Sequence, residues 1–128
     1  MTNTVADLMR RNLLDVFNES DSERRAAAIA EIYAEDILWH EAGRVVIRGR
    51  EALARRAAEL REESPDWVFQ PDGPVSVNDD LGHLGFRFGP AGRPPVVAGM
   101  DIARCRGSVI VELYTFVEEV GSAVTDPA

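Results

Sequence analysis

The sequence has no lysine, one cysteine and two histidines in 128 residues. Each scarcity excludes something. A lone thiol, Cys105, can build neither an internal disulfide framework nor a multi-cysteine metal site; inside an apolar run it reads as a small buried hydrophobe. His40 and His83 lie far apart and neither opens an H-E-x-x-H helix, so no metal is expected. No apolar run reaches the roughly 20 residues that span a bilayer. The start, MTNTVADLMRRNLLDVF, lacks the basic, apolar, small-residue order of a secretory signal, so a cytoplasmic protein with no membrane partner is expected. All 14 bases are arginine against 22 acids, a net charge of -8. That balance repels nucleic acid at long range, and no run of arginines interleaved with aromatics offsets it. GPAGRP and LGHLGF lack phosphate-loop spacing. Ser64, Ser76 and Ser108 lack a G-x-S-x-G context, so no nucleophilic serine is suggested.

What is present is an ordinary globular mixture, 45% hydrophobic and 28% charged. It suits one domain over residues 1–128, with a core from about 7 to 119 and a frayed tail from 120 to 128. Val5, Leu8, Met9, Leu13, Val16 and Phe17 recur at helical spacing. Ser20 and Glu23 read as a capping box opening a second helix that ends near Ala34. DILWH reads as a short strand, EAGR as a turn and VVIRG as a further extended piece. A third helix over REALARRAAELREESP must stop before Pro65. Beyond it, WVFQ, VSV, HLGFRF, VVAGMDIARC and VIVELYTFVEE are strand-like pieces between Pro, Gly, Asn and Asp clusters. Helices first and an antiparallel meander afterwards make an α+β fold with helices on one face of a curved sheet.

In VVAGMDIARC an aspartate interrupts an apolar strand. An acid stranded there costs several kcal/mol, as an order of magnitude, unless it is paired or protonated. Alternation puts Val97, Gly99, Asp101, Ala103 and Cys105 on one face, with Ala98, Met100 and Ile102 on the other. The small neighbours of Asp101 leave volume beside it, as a ligand site requires. A two-residue turn centred on Arg106 and Gly107 pairs Asp101 with Glu112 and Gly99 with Tyr114. Glu112, Tyr114 and Phe116 then share the face of Asp101, and two facing carboxylates raise one pKa. A three-residue turn would instead point Glu112 away. A solvated or purely structural Asp101 is the competing reading.

A second cluster, ILWHEAGR, places Trp39, His40 and Glu41 where a strand enters a turn, a position that often carries function. Trp39 and Glu41 point one way and His40 the other. If the first pair faces inward, it supplies an aromatic wall and a second acid.

IYAEDILWHEAGRVVIRGREAL and VVAGMDIARCRGSVIVELYTFVEE resemble the strand entry and closing hairpin of SnoaL-like proteins in the nuclear-transport-factor-two-like superfamily. The resemblance covers about Asp7 to Glu119. It implies a cone-shaped α+β barrel: three N-terminal helices over a strongly curved mixed, mainly antiparallel sheet, with an apolar pocket open at one end. An ungapped comparison with ketosteroid isomerase, of the same superfamily, brings its catalytic base onto Glu41 and its oxyanion-hole acid onto Asp101. Its oxyanion-hole tyrosine falls near Leu13, so that partner is missing. In SnoaL-like polyketide cyclases an acid matching Asp101 acts as general acid/base without metal or cofactor. Limonene-type epoxide hydrolases of the superfamily need an Asp-Arg-Asp set, for which Arg48, Arg87 and Arg104 are the arginines to consider.

The function expected is therefore cofactor-free acid/base chemistry on a small hydrophobic carbonyl compound, by an isomerase or an aldol-type cyclase. Asp101 would serve the carbonyl oxygen and Glu41 the carbon proton. Tyr33, Trp39, His40, Phe86, Phe88, Met100, Glu112, Tyr114 and Phe116 are the candidate substrate contacts. The rival reading is a non-catalytic pocket or dimer module. The apolar far face of Asp101's strand fits a sheet-to-sheet homodimer under either reading.

Overall fold

The computed structural model describes residues 3–43 and 45–119. Helix α1 (Val5–Arg11) begins in a reciprocal cap: Asp7 N donates to Thr4 Oγ1 at 3.1 Å, and Thr4 N to Asp7 Oδ2 at 3.0 Å. It runs directly into a π-helical segment, Asn12–Phe17. There Asn18 N donates to Leu13 O, five residues back, at 2.9 Å. Such widened turns occur often at functional sites, and this one carries Asn12, Leu13 and Phe17.

Helix α2 (Ser22–Ile32) is capped by Asp21, whose Oδ1 accepts from Glu23 N and Arg24 N. The expected Ser20–Glu23 box is thus displaced by one residue, because the aspartate reaches both orphan amides itself. The helix stops at Ile32, and Tyr33 already belongs to strand β1 (Tyr33–Glu41). Strand β2 (Val45–Arg48) follows, then helix α3 (Gly49–Glu63), which ends ahead of Pro65 as the sequence requires. Arg61 holds that end by donating to Ser64 O at 3.3 Å and Trp67 O at 2.7 Å.

Four longer strands complete the sheet: β3 (Trp67–Asn78), β4 (Leu81–Pro90), β5 (Val97–Arg106) and β6 (Val109–Glu119). WVFQ and VSV, read as separate pieces, are one strand with a register irregularity between Asp72 and Ser76. Pro71 and Pro74 are tolerated because β3 is an edge strand, where a missing amide donor costs little. The sheet order is β2-β1-β6-β5-β4-β3, parallel between β1 and β6 and antiparallel elsewhere. Three helices over this six-stranded mixed sheet form the expected α+β cone. No helix among the described residues is long and apolar enough to cross a membrane. The tail expected to fray, from 120 onward, lies outside the described residues.

The core sits between the layers. Leu8, Met9, Leu13 and Val16 of the first helix meet Leu84, Ala103 and Leu113 of the sheet, all at most 1% exposed. Alternation along β5 sends Asp101, Ala103 and Cys105 into that interior, as the two-residue period demands.

The β5–β6 hairpin departs from the expected register, with consequences for the site. The turn is centred on Gly107 and Ser108, Arg106 pairing with Val109, and Gly107 takes φ +62, a conformation suited to glycine. Past Cys105↔Ile110 the pairing jumps to Arg104↔Glu112, leaving Val111 as an extra residue. Asp101 therefore faces Thr115, not Glu112, and Gly99 faces Val117, not Tyr114. The turn moves the pairing by an even number of residues and preserves the faces. The single bulged residue inverts them. Glu112, Tyr114 and Phe116 consequently lie on the outer face, and Leu113, Thr115 and Val117 take the inner one.

Candidate active site

Away from the closely packed helix end, the two layers part around a cavity of about 220 Å³. Its apolar wall includes Leu13, Phe17, Leu60, Phe69, Phe86 and Phe88. The rings brace each other: Phe69 stacks on Phe88 at 4.0 Å between centroids, and Phe17 leans on Trp39 at 4.9 Å. Trp39, Thr115, Glu41 and Asp101 are the wall's polar members.

Asp101 is 4% exposed. Each of its carboxyl oxygens receives one hydrogen bond. Asn12 Nδ2 donates to Oδ2 at 3.0 Å, and the Thr115 hydroxyl donates to Oδ1 at 2.8 Å. Behind Thr115, the Trp39 indole donates to the same hydroxyl oxygen at 3.0 Å, which leaves the hydroxyl proton free to point at the acid. Both bonds favour the carboxylate, yet burial outweighs them and raises the Asp101 pKa to about 7. Near neutrality this group is part acid and part carboxylate, facing an apolar cavity.

Glu41, at the end of β1, lines the same cavity with a side chain only 15% exposed. Arg56 of α3 holds it: Nε lies 3.0 Å from both carboxylate oxygens and Nη2 lies 2.9 Å from Oε2. The ion pair drives the arginine pKa further upward, so the guanidinium stays charged. The two acids thus have opposite environments, one neutral hydrogen-bond donors and the other a cation.

Of the residues singled out from the sequence, Asp101, Glu41, Trp39, Phe86 and Phe88 meet at this cavity. Tyr33 is fully buried but stands behind Asn12, to whose Oδ1 its hydroxyl donates. His40, Met100, Glu112, Tyr114 and Phe116 are not on the cavity wall. The His40 ring stacks on Tyr114 at 4.1 Å, the Tyr114 hydroxyl donates to Glu112 Oε2 at 2.8 Å, and His40 Nε2 lies 3.4 Å from the same oxygen. This outer-face group lowers the Glu112 pKa, chiefly through the Tyr114 hydroxyl. The expected repulsion between Glu112 and Asp101 does not arise; desolvation alone pushes the Asp101 pKa up. Nor does Gly99 leave space beside the acid, because the Phe86 ring fills it.

Asn12, Thr115 and Arg56 were not identified from the sequence. Asn12 had a legible signal, standing four residues from both Leu8 and Val16 in the middle of an apolar stripe. A polar residue there has to find a buried partner. Thr115 and Arg56 had none, since both reach the site only through long-range pairing. Of the arginines considered for an Asp-Arg-Asp set, Arg87 pairs with Asp72 and Arg104 with Asp80; the hydrogen bonds to Asp101 come from Asn12 and Thr115.

The profile of the SnoaL-like domain matches residues 11–113, most of the sequence. The chain belongs to the SnoaL-like family. Among solved structures, a candidate SnoaL-like isomerase from Agrobacterium tumefaciens superposes with a TM-score of 0.80 at 19% identity, covering 87% of this chain and 94% of that one. A candidate SnoaL-like polyketide cyclase from Jannaschia sp. gives 0.75 at 15%, covering 97% and 93%. A candidate ketosteroid isomerase from Kribbella flavida gives 0.70 at 19%, covering 94% and 83%. At such identities the likeness shows a shared fold, not a shared reaction. Comparison with curated protein sequences finds no significant match.

Proposed function

We propose that this SnoaL-like protein is a cofactor-independent acid/base enzyme that moves a proton next to the carbonyl of a small apolar substrate, as an isomerase or aldol-type cyclase does. The observation that carries the reading is Asp101, 4% exposed on the wall of an apolar cavity, where burial raises its pKa to about 7. An acid held there donates a hydrogen bond to a carbonyl oxygen as negative charge develops on it. Glu41 is the proton acceptor. Arg56 keeps it in one orientation through contacts to both carboxylate oxygens. Positioned acid and base groups contribute roughly 100- to 10,000-fold each, enough for that class of reaction.

Cavity size narrows the substrate. An apolar cavity of about 150 Å³ takes a benzene ring, so the observed 220 Å³ suits roughly one ring with a few substituents. A multi-ring compound would have to project through the mouth. We extend the reading to a homodimer through the outer sheet face, which presents Tyr114 and Phe116 at 37% and 48% exposure beside Met100.

A monocyclic β,γ-unsaturated ketone is a suitable first substrate, because its conversion to the conjugated enone is read by absorbance. The α-carbon proton passes to Glu41 and returns at the γ-carbon, so the step needs no other reagent. Asp101→Asn is expected to lose at least 100-fold in turnover while binding, read by tryptophan fluorescence, changes little. Equal turnover by the variant would reject Asp101 as the acid. Ligand binding with no turnover of any such ketone by the unaltered protein would favour a binding module.

A further inference from the structure

We propose that Tyr33 is a positioning residue: by donating its hydroxyl proton to Asn12 Oδ1 it locks the Asn12 amide with the NH₂ toward Asp101, and so sets the pH at which that acid ionises. The proposal rests on the reading of Asp101 as the working acid, and it concerns a residue that never reaches the cavity.

The argument is one of hydrogen-bond satisfaction. Tyr33 and Asn12 are both 0% exposed, so bulk water does not reach either of them. An amide can present its oxygen or its NH₂ to a neighbour, and the two choices act oppositely on a carboxyl group. The NH₂ end favours the carboxylate; the oxygen end accepts from, and favours, the protonated acid. Tyr33 decides between them. Among the described residues its hydroxyl has one hydrogen-bond partner, Asn12 Oδ1. Were the amide turned round, its NH₂ would donate to the phenol and the phenol proton would be buried with no acceptor. Only the observed direction satisfies the phenol proton, both ends of the amide and Asp101 Oδ2, which lies 3.0 Å from Asn12 Nδ2.

The surroundings hold this direction in place. The Tyr33 carbonyl is clamped by Arg50, from Nε at 2.9 Å and Nη2 at 2.6 Å, so the start of β1 is anchored by main chain as well as side chain. Burial, with the charge of Asp101 adding to it, keeps the Tyr33 hydroxyl protonated far above its ordinary range, so the donor persists at any working pH. Trp39 does the same for the other oxygen by occupying the acceptor side of Thr115. Asp101 thus receives two donors, each aimed by a residue behind it. The other titratable groups of this region do not touch the carboxyl: Glu41 is held by Arg56, and Glu112 lies on the opposite sheet face.

The test is an NMR titration of the Asp101 carboxyl in the unliganded protein, assigned by its loss in Asp101→Asn. Tyr33→Phe frees the amide to turn and should raise the midpoint by about one pH unit. Asn12→Leu removes the donor and should raise it as well. Because Tyr33 acts through Asn12, adding Tyr33→Phe to Asn12→Leu should change nothing further. The pH–rate profile of any ketone turned over should move in step. Replacing the tyrosines by 3-fluorotyrosine in a Tyr114→Phe background keeps the ring's shape and strengthens the donor; it should lower the midpoint and covers the event that Tyr33→Phe does not fold. An unchanged midpoint with either Tyr33 replacement, or a further rise in the double variant, overturns the proposal. A midpoint in the ordinary carboxylate range for the unaltered protein would instead overturn the reading of Asp101 as a neutral acid, so the two failures are distinguishable.

Discussion

At the scale of the residue, a carboxyl with a pKa of about 7 in the fold and an ordinary value of 3.8 outside it binds more protons folded than unfolded between those limits. Below that window Asp101 is neutral in both states and costs no charge burial. As pH rises through it, the unfolded chain gains by ionising first, and the folded state loses stability. A displacement of that size corresponds to about 4 kcal/mol, as an order of magnitude, by pH 8. Asp101→Asn imitates the neutral acid and cannot ionise. Urea unfolding should therefore show the variant gaining on the parent as pH climbs from 4 to 8, approaching that figure. A stability difference independent of pH would show that the side chain is hydrated. The same cost is what a working neutral acid entails, since stability is commonly given up where function needs a strained group.

At the scale of the element, the closing hairpin shows how one residue changes a site. The division of β5 into two faces was readable, and the face of Asp101, for which a solvated acid was the competing reading, turns inward. The face of β6 was not, because Val111 bulges out of the ladder and neither composition nor turn residues marks it. A second element-level contact joins β4, β5 and β6 at Gly99. A Cβ built there would stand 2.4 Å from Phe116 O and 2.4 Å from Phe86 Cζ. Gly99→Ala should cost roughly 1–3 kcal/mol by overpacking, read as a lower denaturant midpoint. Because the displaced Phe86 ring borders the cavity, ligand binding should weaken too. A neutral result would mean that the strands separate freely at this point.

At the scale of the whole molecule, the helices close one side of the sheet, and among the described residues no element covers the other face. That outer face carries Tyr114 and Phe116 among the charges of Glu112 and Arg104. If two copies meet there, Phe116→Asp should yield monomers in sedimentation while the Asp101 titration and the cavity are unchanged. A parent protein that sediments as a monomer would remove the dimer from the reading. The net charge of -8 sets the same scale's long-range preference, disfavouring polyanions.

Composition, helical and strand periods and the order of segments determined the α+β class and named Asp101, Glu41 and Trp39, since local side-chain chemistry and spacing are all those inferences need. Which groups surround Asp101 was decided only by tertiary structure. Asn12 reaches it from 89 residues away, Thr115 arrives by a bulged register, and Arg56 approaches Glu41 from another helix. The physical reason is that an acid's proton affinity depends on what crosses a few ångströms of low-dielectric space. Packing brings those neighbours in from remote parts of the chain, where no local pattern records them.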